Sequence, residues 1–153
     1  MLVRRGHGVG SLLSAHAAAL SELIAAHLEE PLLRVGVNFA TFELLSAVKA
    51  SGQATQIEVA RRLRVTAATL SEAVKAAAAK GLLAQSEVEG DRRSKRLSLT
   101  AAGSQLLEAV LSDLRRTEEA MLRSVDADSA QVALSVLRQA SANLSRSLPS
   151  QRD

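Results

Sequence analysis

The sequence predicts a mainly helical (α+β) fold that contains a single two-stranded β-hairpin, and three observations predict it. Alanine and leucine supply much of the 47% apolar content, and both have high helix propensity. Apolar residues recur at helical spacing in six separate segments. One stretch, "LLAQSEVEGDRRSKRLSLT", instead has two short strand-like segments around a turn. The predicted order is therefore four helices, a hairpin and two helices.

The first two helices are predicted from apolar spacing and from their boundaries. The first runs from about residue 11 to residue 30, with Pro31 as its boundary. Its apolar stripe contains Leu13, Leu20, Leu23, Ile24 and Leu28. The second helix is "NFATFELLSAVKASG", with Asn38 as its N-cap and Gly52 at its end. The first helix, together with the last two, is expected to hold a dimer.

Helices three and four form a pair of short helices joined by a tight turn. Thr55 and Glu58 in "TQIE" have the spacing of a capping box, which opens a helix to about Leu63. Thr66 can cap the next helix, which ends at Gly81. Their facing apolar residues are expected to be Ile57, Val59, Ala60, Leu63, Val65, Leu70 and Val74. Two short helices with apolar inner faces and a three-residue turn predict a helix-turn-helix.

The last two helices follow the hairpin. Thr100 is expected to cap a helix that continues to Val125, with an approximate heptad stripe of Leu107, Leu111, Leu114, Met121 and Val125. The final helix starts after Asp126 and places Ala133, Leu137, Ala140 and Leu144 on one face. With only two phenylalanines and no tryptophan or tyrosine, a single chain buries little large apolar surface. Association through these helices is expected to compensate.

Composition excludes several classes of function. The chain has no cysteine, which excludes disulfides, thiolate zinc sites and thiol redox sensing and fits a reducing cytoplasm. No apolar run approaches the ~20 residues that span a membrane. None of the patterns H-E-x-x-H, G-x-S-x-G and G-x-x-x-x-G-K-[ST] occurs. We therefore expect a cytoplasmic protein that is not an enzyme, with no membrane partner, metal ion or other cofactor.

Positive charge is concentrated in the middle of the chain. Residues 55–100 hold nine basic and five acidic residues, whereas the remainder holds ten basic and eleven acidic residues. A localised basic region is the usual electrostatic sign of a polyanion site. The outer face of the fourth helix is small and polar, which suits entry into a major groove ~12 Å wide. It carries Ala68, Ser71, Glu72, Lys75 and Ala79.

The hairpin is basic at its tip. Arg92, Arg93, Lys95 and Arg96 lie within five residues, next to the turn at residues 89–91. Taken alone, such a run is most often a solvated surface. Beside a helix-turn-helix it is expected to grip phosphates and to insert an arginine into the narrow minor groove. Leu97 and Leu99 alternate with polar residues and are expected to anchor the hairpin to the core.

Residues 55–103 resemble the winged helix-turn-helix of the MarR family of bacterial transcription regulators. The resemblance is carried by "EVARRLRVTAATLSEAV", by "KGLL" and above all by "DRRSKRLSLTAAG", which is similar to the family's wing signature. The flanking helices fit the family's dimerisation region in length and order. Residues 36–100 are thus expected to be the DNA-binding region. Residues 1–35 and 101–153 are expected to form the dimerisation region, with helix 36–50 bridging the two.

The resemblance implies a homodimeric regulator, a repressor rather than an activator, that binds a pseudo-palindromic operator in duplex DNA. It implies that a small, often aromatic, effector releases the DNA. By similarity, the recognition helix contacts bases and phosphates through Thr66, Ala68, Thr69, Ser71 and Lys75. Arg93 falls where the wing arginine enters the minor groove and Asp91 where its orienting acid sits, with Arg92 and Lys95 beside them.

Two residues depart from the family pattern. Arg64 stands at the turn position where glycine is frequent, and a left-handed backbone there would cost ~1 kcal/mol. Its side chain could alternatively reach a phosphate. Glu72 stands where members often carry arginine or another polar contact. It could accept a hydrogen bond from a cytosine amino group, or it could repel phosphate.

The flanking helices hold the candidates for an effector pocket. His16, Phe39 and Phe42 are the candidate pocket residues, whereas core packing is the commoner role for the two phenylalanines. His16 and His27 both fall on the apolar stripe of the first helix, where hydrogen-bonded interface histidines are more common than ligand groups or a pH switch. The scarcity of aromatic residues favours duplex DNA over single strands, which are bound by stacking.

Another function remains open at the level of sequence. The winged helix could be a protein-interaction module, or it could bind DNA without sequence preference and without an effector. The small, largely uncharged surroundings of Lys75 favour a DNA groove, whereas the negative charge of Glu72 is compatible with the alternative.

Overall fold

The order of secondary structure is the predicted one. The computed structural model describes residues 12–52, 54–88 and 91–147, with the side chains at 88 and 91–94 outside that description. The elements are α1 Leu13–Arg34, α2 Phe39–Ser51, α3 Gln56–Leu63, α4 Ala67–Ala79, β1 Leu83–Val88, β2 Asp91–Leu99, α5 Ala101–Met121 and α6 Ala127–Ser147. Four helices, an antiparallel hairpin and two helices follow one another, which confirms the predicted mainly helical fold.

The chain divides into two compact units. The first extends to Arg115 and the second begins at Arg116, within α5. The first unit therefore groups α1 with the helix-turn-helix and the hairpin, whereas the sequence placed residues 1–35 with the C-terminal helices. The predicted dimerisation region stays a prediction. In the described part of the chain no single helix is long and apolar enough to cross a membrane; α1 and α2 reach that length and composition only as a pair bent by 91°.

The first unit has one hydrophobic core. Its most deeply buried side chains come from α1, α2, α3, α4, β2 and α5: Leu28, Leu44, Leu45, Val48, Val59, Leu70, Val74, Leu97, Leu107 and Val110. Full burial of a side chain of this size contributes about 1.5–3 kcal/mol before the entropy cost of ordering it. The core therefore holds the recognition helix and the hairpin on a common base.

Helix α1 continues past the proline that was predicted to end it. Pro31 lies inside the helix, which ends at Arg34. Proline removes one backbone donor and disfavours a helix interior. Here Pro31 and Leu32 are both buried, and Leu32 is only 4% exposed. Packing of the last turn against the core outweighs the missing hydrogen bond, so the predicted boundary is wrong.

The caps of α2 and α3 are the predicted ones. The Asn38 side chain accepts a hydrogen bond from the backbone N–H of Thr41 at 2.9 Å, and Gly52 ends α2 with φ +68°. The Thr55 N–H donates to the Glu58 carboxylate at 2.7 Å, and the Glu58 N–H donates to the Thr55 hydroxyl at 3.3 Å. This reciprocal pair satisfies two donors at the start of α3.

The hairpin contains a bulge at its basic end. Leu83 pairs with Leu99, and the same register continues to Glu87 opposite Lys95, after which Val88 pairs with Asp91. Residues 92–94 therefore oppose no residue of β1. Strand β2 begins at Asp91 and therefore includes the basic residues as well as the alternating segment. The bulge ends the regular ladder at the two arginines.

A tight junction joins the end of α4, the start of β1 and the start of α5. The Thr100 hydroxyl donates to the Gly81 carbonyl at 2.6 Å and accepts from the Gly103 N–H at 3.0 Å, which confirms Thr100 as the cap of α5. The Thr100 N–H donates to the Leu82 carbonyl at 3.1 Å. A Cβ atom on Gly103 would lie 2.0 Å from the Leu82 carbonyl oxygen, so this close approach requires glycine.

Helix α5 is shorter than predicted. It ends at Met121, so Val125 lies outside the helix and the predicted boundary is wrong. Ser124 adopts φ +72°, which breaks the helical path. The Asp126 carboxylate then accepts from the Ser129 N–H at 2.8 Å at the start of α6. Hydrogen bonds from the Ser129 hydroxyl and N–H hold the pKa of Asp126 below its usual value.

Candidate nucleic-acid interface

The turn between α3 and α4 has the left-handed residue that sequence reasoning anticipated. Arg64 has φ +56° and ψ +38°. The Val65 N–H that follows donates to the Ala60 carbonyl at 3.1 Å, which closes the end of α3. A residue with a Cβ atom pays roughly 1 kcal/mol for this conformation. Arg64 therefore keeps the left-handed backbone of the turn, although glycine is frequent at this position.

The inner faces of α3 and α4 pack as predicted, with one exception. Val59, Leu70 and Val74 are fully buried, and Ala77 is 2% exposed. Ile57 was predicted on the inner face but is 54% exposed, so that prediction is wrong. It lies four residues before the exposed Arg61 and therefore on the same outward side of α3.

The predicted recognition residues of α4 share one exposed surface. Thr66, Ala68, Thr69, Ser71, Glu72 and Lys75 are all exposed. Two of them also have a local structural role, because the Thr66 hydroxyl caps α4. It accepts from the Thr69 N–H at 3.1 Å and lies 2.8 Å from the Thr69 hydroxyl. The remaining side chains of this surface are small or polar and leave the helix open to close approach.

The hairpin is fixed to the start of α3 by the main chain. The Leu97 N–H donates to the Ala54 carbonyl at 2.9 Å, and Thr55 forms an isolated antiparallel bridge with Arg96. Leu97 is fully buried and Leu99 packs partly buried against the core, which confirms their predicted anchoring role. Sequence reasoning missed the link to Ala54, because no local pattern relates residues 43 positions apart.

A concave surface, here called the wing cleft, lies between α3, α4 and the hairpin. Its volume is about 580 Å³. It is lined by the start of α3 (Thr55, Gln56, Ile57), the exposed side of α4 (Ala67, Ser71, Glu72, Lys75, Ala78) and the hairpin (Gln85, Lys95). Two lysines and one glutamate give it a net positive charge. Three of the predicted DNA-binding residues of α4 thus meet Lys95 of the wing in one cleft.

The tip of the wing is only partly described. Lys95 is exposed and lies opposite Glu87 in the strand register. The side chains of Asp91, Arg92 and Arg93 fall outside the described residues, so the predicted orientation of Arg93 by Asp91 remains a prediction. Arg64 is exposed at the turn before α4.

The Glu58 carboxylate stabilises the start of α3, beside the wing cleft. Hydrogen bonds from the Thr55 N–H and hydroxyl lower the pKa of Glu58, and the positive charges of Arg61 and Arg96 lower it further. Because the carboxylate is ionised at neutral pH, it complements the partial positive charge at the helix N-terminus. The capping box therefore fixes the segment that pairs with the wing.

The candidate effector residues occupy different environments. Phe42 is buried in the core at 7% exposure, whereas Phe39 is 40% exposed. Their ring centroids lie 6.0 Å apart with a 50° tilt. His16 is exposed, and His27 Nδ1 lies 2.8 Å from the Leu23 carbonyl oxygen. The pocket predicted at His16, Phe39 and Phe42 stays a prediction.

Helices α3 and α4 with the β1–β2 hairpin define a winged helix-turn-helix protein. Residues 35–94 match the sequence model of the MarR family, and the whole fold agrees with solved structures of that family. The resemblance drawn from the sequence is therefore confirmed. The solved structures that match include proteins described as transcriptional regulators of the MarR family, from Rhodococcus and from Silicibacter pomeroyi.

Three solved structures define the likeness. The MarR protein of Peptoclostridium difficile is 17% identical with a TM-score of 0.79, and the match covers 94% of this chain and 92% of that one. A cysteine-to-serine variant of Escherichia coli MarR, complexed with operator DNA, is 18% identical with a TM-score of 0.72, covering 84% and 92%.

Bordetella bronchiseptica BpsR, whose DNA binding is regulated by 6-hydroxynicotinic acid, is 18% identical with a TM-score of 0.74, covering 90% and 98%. No curated protein matches the sequence. At these identities the structural matches establish the fold of this chain.

Proposed function

We propose that this protein is a transcriptional repressor that binds a pseudo-palindromic operator in duplex DNA as a homodimer. The observation that carries the proposal is the exposed, small and polar face of α4 beside a basic hairpin that is fixed to α3. Such a face can approach base edges in the major groove, while the hairpin reaches the adjoining minor groove. The E. coli MarR complex with operator DNA supports this use of the fold.

The proposed contacts fall into two groups. Base and phosphate contacts from the helix-turn-helix are assigned to Arg64, Thr66, Ala68, Thr69, Ser71, Glu72 and Lys75. Wing contacts are assigned to Asp91, Arg92, Arg93 and Lys95, with Arg93 in the minor groove. Glu72 is expected to select cytosine, because a carboxylate in the major groove accepts a hydrogen bond from the cytosine amino group.

Unpartnered apolar side chains support the proposed homodimer. Large apolar residues on α1 are exposed, namely Leu13, Leu20, Leu23 and Leu33. The same is true on α6 of Val132, Leu134, Val136, Leu137 and Leu144. Large exposed apolar surface marks interaction sites in stable proteins, and these residues are the candidates for one here. A twofold dimer would place the two recognition helices about one duplex turn (~10 base pairs) apart, or a multiple of it.

A small aromatic effector is proposed to release the DNA. The precedent is BpsR, whose DNA binding is regulated by 6-hydroxynicotinic acid. The candidate pocket contains His16, Phe39 and Phe42, of which His16 and Phe39 have exposed surface to offer a ligand. Effector binding would favour a dimer in which the separation of the recognition helices no longer matches the operator.

The test is selection of duplexes from a random pool, followed by titration of the best site. We expect a palindromic sequence bound at least a thousandfold (~10³) more tightly than random duplex. Arg93→Ala should weaken binding about tenfold, and the control Arg123→Ala, which removes the same charge in the turn after α5, should not.

A failure of selection would redirect the assignment. If no sequence is enriched and the affinity for every duplex falls equally with salt, the wing binds DNA without sequence preference. The exposed α4 surface with Glu72 would then be examined as a site for a protein partner.

A further inference from the structure

Ile57 is an exposed apolar residue whose position needs a reason. A single exposed isoleucine is ordinary on a protein surface. This one is 54% exposed and lines the wing cleft together with Lys75 of α4 and Lys95 of the hairpin. It therefore lies between the two elements proposed to contact DNA. Because Ile57 is not part of the core, its side chain is available to a molecule that enters the cleft.

The walls of the wing cleft are held at fixed positions. The hydrogen bond from the Leu97 N–H to the Ala54 carbonyl ties the hairpin to the residue just before α3. The capping box of Thr55 and Glu58 fixes the first turn of α3. On the other side, the buried contact of α3 with α4 sets the position of the recognition helix. Ile57 is thus presented at a defined distance from both elements.

Duplex geometry decides what enters the cleft. The proposed function places α4 in the major groove and the wing in the adjoining minor groove. A sugar–phosphate strand separates these two grooves, so that strand must pass between α4 and the hairpin. Its deoxyribose rings are apolar at their carbon atoms and its phosphates are anionic. The cleft has apolar surface that can pack against the deoxyribose carbons, at Ile57, Ala67 and Ala78. It also has two cations that can bind the phosphates, Lys75 and Lys95.

We propose that Ile57 is a further DNA-contact residue, which packs against a deoxyribose of the strand between the two grooves while Lys95 binds a neighbouring phosphate. This assignment rests on the proposed function and deepens it. Contacts to sugar and phosphate position a protein on the duplex without reading its sequence. Ile57 therefore contributes affinity to every duplex alike, whereas the exposed side chains of α4 contribute preference for one sequence.

The experiment titrates wild type, Ile57→Ala, Ile57→Val and Lys95→Gln against the selected operator and a random duplex over a salt series. Ile57→Ala should weaken binding about five- to tenfold on both duplexes, as expected for loss of a half-buried aliphatic contact. Ile57→Val should recover most of that loss. The salt dependence should be unchanged for Ile57→Ala and less steep by about one for Lys95→Gln.

Several results would overturn the assignment. Unchanged affinity of Ile57→Ala on both duplexes would remove Ile57 from the interface. A loss confined to the operator, and abolished when one thymine is replaced by deoxyuridine, would make Ile57 a reader of a thymine methyl group. The control variant is Ser98→Ala, because Ser98 is exposed on the hairpin outside the wing cleft. This variant should bind both duplexes as the wild type does.

The outcome is separable from that of the proposed function. Because the contact is independent of sequence, the random duplex reports on Ile57 even if no operator is found. A wild-type protein without sequence preference would refute the specific regulator, whereas an insensitive Ile57→Ala would refute only the sugar contact. Thermal unfolding of each variant should match wild type, since the side chain is exposed in the free protein.

Discussion

Helices α4 and α6 have similar apolar patterns but different environments. Helix α4 buries Leu70, Val74 and Ala77 within 13 residues, and its other side is free to face a ligand. Helix α6 is 21 residues long and buries none of its residues, although Leu137 and Leu144 recur on one face. One apolar face is completed within the chain, whereas the other has no counterpart in the part of the single chain that is described.

The difference separates two sources of stability. The winged helix owes its stability to contacts within one chain, so it should be independent of protein concentration. The proposed dimer would bury the apolar face of α6, and stability gained through association depends on concentration. The two regions should therefore respond differently to substitution.

The largest effect is expected from substitutions that disrupt the proposed dimer surface of α6. The double variant Leu137→Asp with Leu144→Asp should weaken dimerisation by at least about a hundredfold (~3 kcal/mol), because it would bury unpaired charges at an interface. Sedimentation at micromolar concentration should find a monomer whose winged helix remains folded. Gln139→Asp lies on the opposite side of α6 and should remain dimeric. A double variant that stays dimeric would exclude this face as the interface.

The next largest effect is expected from a substitution that disturbs the packing inside the first unit. Gly103→Ala should lower the free energy of unfolding by roughly 2 kcal/mol, because the added Cβ meets the Leu82 carbonyl and overpacking carries such a cost. At an ordinary helix position the same change would stabilise by about 0.5–1 kcal/mol. Urea titration of Gly103→Ala beside the exposed control Ala102→Ser measures the difference. A stabilised Gly103→Ala would contradict the close approach of α5 to Leu82, the residue just before β1.

These two regions also mark how far sequence reasoning reached. The caps at Asn38, Thr55, Thr66 and Thr100 were predicted correctly, because a capping side chain acts on a backbone N–H two or three residues away. The exposed face of α4 followed from helical periodicity alone.

The errors have non-local causes. Pro31 was predicted to end α1, but burial of the following Leu32 keeps the last turn helical. Ile57 was predicted on the inner face of α3 because it is apolar, but its side chain lies on the outward side of the helix. The pairing of Ala54 with Leu97 and the bulge at residues 92–94 depend on tertiary register, which a local pattern does not encode.

A smaller effect sharpens the role of the turn before α4. Arg64→Gly should stabilise the first unit by about 1 kcal/mol, because glycine adopts the left-handed backbone without steric cost. If the Arg64 side chain also contacts a phosphate, DNA affinity should fall and its salt dependence should become less steep by about one. Urea titration and DNA titration of the same variant separate the two roles. Lower stability would contradict a strained Arg64.

The smallest effect concerns the cap of α3. The pKa of Glu58 is lowered in the folded protein by its hydrogen bonds to Thr55, so the ionised carboxylate favours folding. This contribution is present above the pKa of the unfolded chain and is lost as the pH falls through the lower, folded value. Urea midpoints of wild type and Glu58→Gln should therefore differ at neutral pH and converge below about pH 4. A difference that persists at low pH would contradict the assignment.

The central claim is that two α4 helices, held at a fixed separation by a dimer, read one operator together. The most direct measurement compares affinity for the selected palindrome with affinity for the same palindrome after about 5 base pairs, half a duplex turn, are inserted between its half-sites. The insertion moves one half-site to the opposite side of the duplex. We predict that affinity falls to that of a single half-site. Equal affinity for the two duplexes would contradict a dimer of fixed recognition helices.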